Sequence, residues 1–185
     1  MSGNVTVWTK QHENILIDLE TKGRYIAKKE YIENKMEEHA AIYLGVYNWY
    51  YGAASKLVQP PEDVKYPIWV SLTEESKIEI SPGNVGLEIE IPKENLITMD
   101  IDKWGKIVNY MYIPANLGDM DEHEAMLARY NIDDCKAYMT PFYPSIKQKI
   151  IKSWNRLFDE SIILSTFRVG TVWEIRKEWV ISVAK

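Results

Sequence analysis

Leu87-Glu88-Ile89-Glu90-Ile91-Pro92 alternates apolar and acidic residues and ends at a proline. Period-two alternation belongs to a strand with one buried face, because successive side chains leave opposite sides of the pleat. Further strands are predicted at Val5 to Thr9, Tyr66 to Leu72, Lys77 to Ser81, Leu96 to Met99, Gly170 to Ile175 and Glu178 to Ala184. Between them the period changes to that of helices. Ile15, Leu16 and Leu19 form one stripe over residues 11–22, and Gly23 is placed to stop it. Ile32, Met36, Ala40, Tyr43, Tyr47 and Tyr50 recur at steps of three and four and predict a long helix over 28–51. Pro60-Pro61 then breaks the chain.

Asp100 or Asp102 is the expected cap of a helix that carries Trp104, Ile107, Val108 and Met111. Residues 114–144 are expected to be an irregular, partly helical insertion, with one helix at Glu122 to Tyr130. Ser145 is the expected cap of a stronger helix burying Ile146, Ile150, Trp154, Leu157 and Phe158. The terminal strands are expected in the core, with Trp179, Ile181 and Val183 buried. Strand, helices, several strands, helix and strands, in that order, predict an α+β fold. The expectation is one domain over 1–185, with small twisted, mostly antiparallel sheets and helices packed against them.

Composition narrows the function classes. The chain has 185 residues, of which 46% are hydrophobic, enough to bury a core without staples. Its 22 Lys and Arg stand against 27 Asp and Glu, a net charge of −5. That balance argues against strong, sequence-independent nucleic-acid binding, although Lys147, Lys149, Lys152 and Arg156 concentrate positive charge on one late helix. The single cysteine, Cys135, allows no intrachain disulfide and no cysteine zinc cluster. No apolar run approaches a membrane span, and Met1-Ser2-Gly3-Asn4 does not begin a signal peptide, so a cytoplasmic protein is expected. Tyr 12 and Trp 7 against Phe 3 favour rings with one wet edge, as clefts use them.

Most standard enzyme signatures are missing. His12, His39 and His123 form no HExxH pair, and there is no phosphate-cradling GxxxxGK[ST], GxGxxG or GxSxG. Asp119-Met120-Asp121-Glu122-His123-Glu124 lacks the glycine of a calcium loop and has Tyr130 where the bidentate glutamate belongs. No residue set is assigned to a metal.

Two places set polar groups in strand-like sequence. Trp8-Thr9-Lys10-Gln11 stands where a strand hands over to a helix, and strand ends commonly carry sites; Trp8 as core and Thr9 as helix cap is the plainer reading. In Thr171-Val172-Trp173-Glu174-Ile175, alternation puts Thr171, Trp173 and Ile175 on one face, and Val172 with Glu174 on the other. A carboxylate there is costly to bury unless something uses it. Pairing with Arg176 is the alternative. Tyr66-Pro67-Ile68-Trp69 is either the wall of a ligand cleft or the packing of a strand on a helix.

WTKQ at 8–11, PPEDVKYPIW at 60–69, LEIEIP at 87–92, the Asp100 and Trp104 pair, and WEIRKEWV at 173–180 resemble an uncharacterised bacterial family, domain-of-unknown-function family thirty-eight forty-one. The match spans nearly the whole chain in order. It implies a small α+β protein and brings no established activity. The order of a strand with a polar site, a helix, an aromatic strand, the LEIEIP strand and a late strand with one glutamate also resembles that of ADP-ribosyltransferases. That resemblance implies a cleft between two small sheets that binds NAD as a substrate, with a macromolecule or nucleotide as acceptor. Glu174 would then contact the nicotinamide ribose and stabilise an oxocarbenium-like transition state. Thr9 or Gln11, beside Trp8, would bond the adenosine-side ribose, and Tyr66 or Trp69 would stack on the nicotinamide. Val172, two residues before Glu174, departs from the Gln/Glu-x-Glu pair of the arginine- and asparagine-modifying enzymes. The alternative is a catalytically silent module that uses the aromatic cleft for a nucleotide or a protein partner.

Overall fold

The computed structural model describes residues 3–30 and 40–185. The chain divides into two compact units, Met1–Thr98 with Val169–Lys185, and Met99–Arg168. The first expected strand, β1, runs Asn4–His12, three residues past its predicted end. Gln11 and His12 pair with Val85 and Asn84 of β4 (Asn84–Pro92), so ladder bonds claim the residues assigned to the helix start. α1 therefore begins only at Ile15 and runs to Lys22; Gly23 ends it at φ 72°, where its N–H bonds the Leu19 carbonyl. β2 (Arg24–Tyr25) follows, and α2 is Ala40–Ala54. The Ile32 and Met36 part of the expected long helix, with His39, lies outside the described residues.

The main sheet has six strands in the order β5-β6-β3-β1-β4-β8, with β3 Ile68–Ser71, β5 Ile97–Asp100, β6 Arg168–Val172 and β8 Val180–Ala184. β1 pairs antiparallel with β3 and β4, β3 with β6, and β4 with β8. A second, two-stranded sheet pairs β2 with β7 (Ile175–Arg176). The fold is thus mixed, with a mostly antiparallel sheet, as the alternation of LEIEI predicts.

Paired residues share a face. Val7, Val70, Leu87, Ile89 and Val172 line one face, and Ile15 and Leu19 of α1 close over it with Tyr25 and Ile175. The opposite face carries Trp69 and Thr171, cross-strand neighbours that meet the tyrosines of α2. Gly170 in β6 has no room for a side chain. A Cβ there would lie 2.7 Å from Leu96, 2.8 Å from Val70 and 2.9 Å from Leu72.

Further expectations need correction. Lys77 to Ser81 is not a strand. Thr73 caps a single turn at Glu74–Ser76, and the chain then crosses the sheet with Ile80 seated on the bare backbone of Gly86. The alternation through 171–175 is broken: Trp173 and Glu174 form a bend, so Ile175 joins Val172 in one core instead of facing the other way. Ile181 and Val183 are 55% and 43% exposed, because β8 is an edge strand with little packed on its outer half; Trp179 and Val180 pack against the core. The cap expected of Ser145 falls elsewhere, as described next.

In the second unit, Asp100 caps α3 (Ile101–Val108) by accepting from Asp102 N and Lys103 N. The residues buried are Lys103 and Ile107, while Met111 lies beyond the helix and is exposed. Lys103 is satisfied by donating to the Arg156 and Asp159 carbonyls at 3.0 and 2.6 Å. Residues 114–144 are more regular than their composition suggests, with α4 at Leu117–Tyr130 and α5 at Asp134–Met139, capped by Asn116 and Asp133. α6 (Pro144–Ser153) opens on Pro144, so Ser145 is already inside it. Ile146, Ile150, Trp154 and Leu157 are buried as expected, the last two in a tighter turn after α6, whereas Phe158 at the end of that turn is only half-buried.

Candidate functional site

Strand pairing sorts the expected ligand residues. Trp8 pairs with Ser71 on one side and Glu88 on the other, and Glu88 pairs with Ser182. Ser71, Trp8, Glu88 and Ser182 thus form a row across four strands on one face. Thr9 and Gln11 belong to the strand's other side or edge. Thr9 Oγ1 donates to the Trp69 carbonyl at 2.7 Å and accepts from Gln11 Nε2 at 2.8 Å, while the Tyr25 hydroxyl donates to Gln11 Oε1 at 3.4 Å. These polar groups are satisfied by the protein itself, as the buried Thr9 and Tyr25 require.

The aromatic strand packs on α2. Trp69 Nε1 donates to the Tyr47 hydroxyl at 3.3 Å, Tyr66 meets Tyr47 edge-on, and Tyr50 sits between Trp69 and Trp173. The Tyr50 hydroxyl bonds Thr171 Oγ1 at 2.6 Å. Burial pushes its pKa far above the usual tyrosine range, against the opposing effect of that bond. Tyr66 is 7% exposed.

Glu174 stands apart from both groups. The bend after β6 turns it toward β2, where it is 6% exposed and both carboxylate oxygens are held. Arg176 Nε donates to Oε1 at 2.7 Å and Arg24 Nη1 to Oε2 at 3.0 Å. Arg24 also pairs with Asp63. The bond to Glu174, and then those to Asp63 against a desolvation penalty, hold the Arg24 guanidinium above its ordinary pKa. Glu174 walls two small cavities, of about 250 and 280 Å³. The first also has Asn95, Trp173 and Trp179 in its wall.

A larger cavity, about 720 Å³, lies elsewhere on the first unit. Trp8, Thr9, Glu88 and Ser182 form its floor, and residues 74–80 form its roof. Three tethers hold the roof: Lys10 Nζ donates to the Glu79 carbonyl, Ser71 Oγ to the Ser76 carbonyl, and Ile80 covers Gly86. The structure therefore brings Trp8 and Thr9 together at one cavity, buries Tyr66, holds the half-buried Gln11 and Trp69 in contacts within the protein, and places Glu174 at two others.

Sequence reasoning did not find the His123 and Asp134 pair in the second unit. His123 Nε2 lies 2.6 Å from Asp134 Oδ1, under the stacked ring of Tyr112, and its Nδ1 is buried without a partner. Eleven residues and a loop separate the two, so no spacing signals them. Lys147 lies over the Tyr138 ring, and Lys149 and Arg156 over Tyr112, so three of the four late-helix cations are engaged within their own unit. Among the described residues no three His, Cys, Asp or Glu side chains are grouped to hold a metal, and no helix is long and apolar enough to cross a membrane.

Residues 6–181 match the family described as Domain of unknown function (DUF3841). No curated protein and no solved structure matches the chain.

Proposed function

The chain belongs to the DUF3841 family, and on that premise we propose that it is a binding module whose ligand occupies the cavity floored by Trp8. One observation carries this reading: the cavity at Trp8 is separate from those walled by Glu174. Its volume of about 720 Å³ is that of a ligand site, whereas about 250 Å³ falls below the usual span of roughly 300–1,000 Å³. Stabilising an oxocarbenium-like centre requires uncompensated negative charge aimed at it. Glu174 is already balanced by Arg24 and Arg176.

The second reading is an ADP-ribosyltransferase-like enzyme that consumes NAD, with Glu174 catalytic and an acceptor of macromolecular or nucleotide class. It is favoured by the chain order β1, α1, aromatic β3, LEIEIP β4 and late β6, whose strands share one sheet, and by a buried carboxylate that reaches a cavity wall. Calorimetric titration with NAD and ADP-ribose, with released nicotinamide followed in parallel, separates the two. The module reading expects no nicotinamide release from the parent chain, and whatever ligand binds at the cavity is lost with Trp8→Leu. Release that disappears in Glu174→Gln, at an unchanged melting temperature, overturns it in favour of the transferase, because the lost interaction then belongs to the transition state.

A further inference from the structure

We infer that the cavity at Trp8 takes an extended, basic segment of a partner polypeptide, which adds to the sheet along β8 and sends a lysine or arginine over Glu88. This rests on the module reading and names its ligand. Charge supplies the first argument. Glu74, Glu75, Glu79 and Glu88 line the cavity, against Lys77 alone. Lys77 pairs with Glu74 at 2.9 Å, and Lys10 reaches the roof only as a donor to the Glu79 carbonyl. With the Lys10 ammonium counted beside Glu79, four carboxylates face two lysines, and a surplus of two negative charges remains at the cavity. An anionic pyrophosphate would meet repulsion there, while an ammonium or guanidinium would meet attraction. Trp8, half-buried in the floor, offers an indole, the side chain with the strongest cation–π attraction.

The sheet edge supplies the second argument and selects a polypeptide over a small amine. β8 ends the strand order, and among the described residues no strand pairs with its outer side. A free edge with exposed apolar side chains is a template for strand addition. Ile181 and Val183 are those side chains, and Ser182 alternates with them toward the cavity. Ser182 stands in the row with Glu88 and Trp8, and its hydroxyl donates to Glu88 Oε2 at 2.9 Å. A residue added opposite Ser182 would start about 10 Å from Glu88, two strand spacings away, and share its face. Long basic side chains close that gap when glutamate reaches toward them. The charged cavity and the bare edge meet along one row of residues.

The test is calorimetric titration of the full chain with a capped hexapeptide of alternating valine and arginine, its valine–glutamate counterpart, spermidine and NAD. Binding of the arginine peptide is expected. It should fall at least tenfold with Glu88→Lys, several-fold with Glu88→Gln, and further with added salt, while thermal melts show each variant folded. One of the two alternately N-methylated arginine peptides should lose at least tenfold, since methylation removes the donors that would meet β8. Equal binding of the glutamate peptide, indifference to Glu88→Lys, or tighter binding of spermidine than of the peptide overturns the inference. If NAD binds through Trp8 while the arginine peptide does not, the cavity stands as a ligand site and only the basic-segment assignment falls. Failure of every probe removes both.

Discussion

Glu174 and Gly170, four residues apart, show how differently a single position responds to its surroundings. At Gly170 the neighbours are side chains closing from two directions, so a methyl group has nowhere to go. Gly170→Ala is expected to cost about 1–3 kcal/mol through overpacking, read as a lowered urea midpoint with an unchanged slope. A midpoint equal to the parent's would mean that Leu96, Val70 and Leu72 are loosely held. Nothing in the letter G announces this, because Leu96 and Val70 are distant in sequence. Glu174 was legible as an exception in an apolar strand, and Arg176 as its partner. Arg24, 150 residues away, was not. The carboxylate is buried at an arginine pair because the chain bends there, and the bend has no local signature.

At the scale of elements, Asp100 joins the end of β5 to α3. Besides the two N–H groups of the helix's first turn, it accepts from Leu164 N and Ser165 N, both at 2.8 Å. Burial raises its pKa, but the four backbone donors outweigh that and hold it below the ordinary value. A carboxylate with a depressed folded pKa stabilises above its unfolded value, near pH 3.9, and that stability is lost as pH falls through the folded value. Asp100→Asn should therefore flatten the acid limb of a stability–pH profile below about pH 4 and cost about 1–3 kcal/mol near neutrality. An unchanged acid limb, measured by urea unfolding, would assign acid sensitivity to other carboxylates. The sequence narrowed the helix cap to Asp100 or Asp102, and the structure places it at Asp100; the loop at 164–165 was not readable. At β8 the error ran the other way. Ile181-Ser182-Val183 alternates as a core strand does, yet edge position leaves Ile181 and Val183 wet. Ile181→Ser with Val183→Thr should leave thermal stability within about 0.5 kcal/mol. A large loss would show these side chains covered in solution.

For the whole molecule, the acidic balance and the use made of its cations bear on partners. Lys147, Lys149 and Arg156 lie over tyrosines, and Arg156 also bonds Asp119 at 2.7 Å, so the late helix does not present a free basic stripe. Fluorescence anisotropy with random-sequence duplex DNA at physiological salt should stay flat, because little counterion release is available. Steep, salt-sensitive binding would overturn that expectation.

Local patterns determined much. The alternation of LEIEI, the α1 stripe ended by Gly23, and the 3.6-residue period before Trp154 depend only on neighbours along the chain, so they were readable. So was family membership, carried by WTKQ, YPIW, LEIEIP and WEI in order. Tertiary structure alone decided which strands became neighbours, and with them the row Ser71, Trp8, Glu88 and Ser182. It also decided that Glu174 faces two arginines, that His123 meets Asp134, and that a loop over Gly86 roofs a cavity. Each of these is a long-range contact between residues whose individual preferences leave it open. Hydrophobic burial sets a strand's inward face, but register and strand order set what stands beside it.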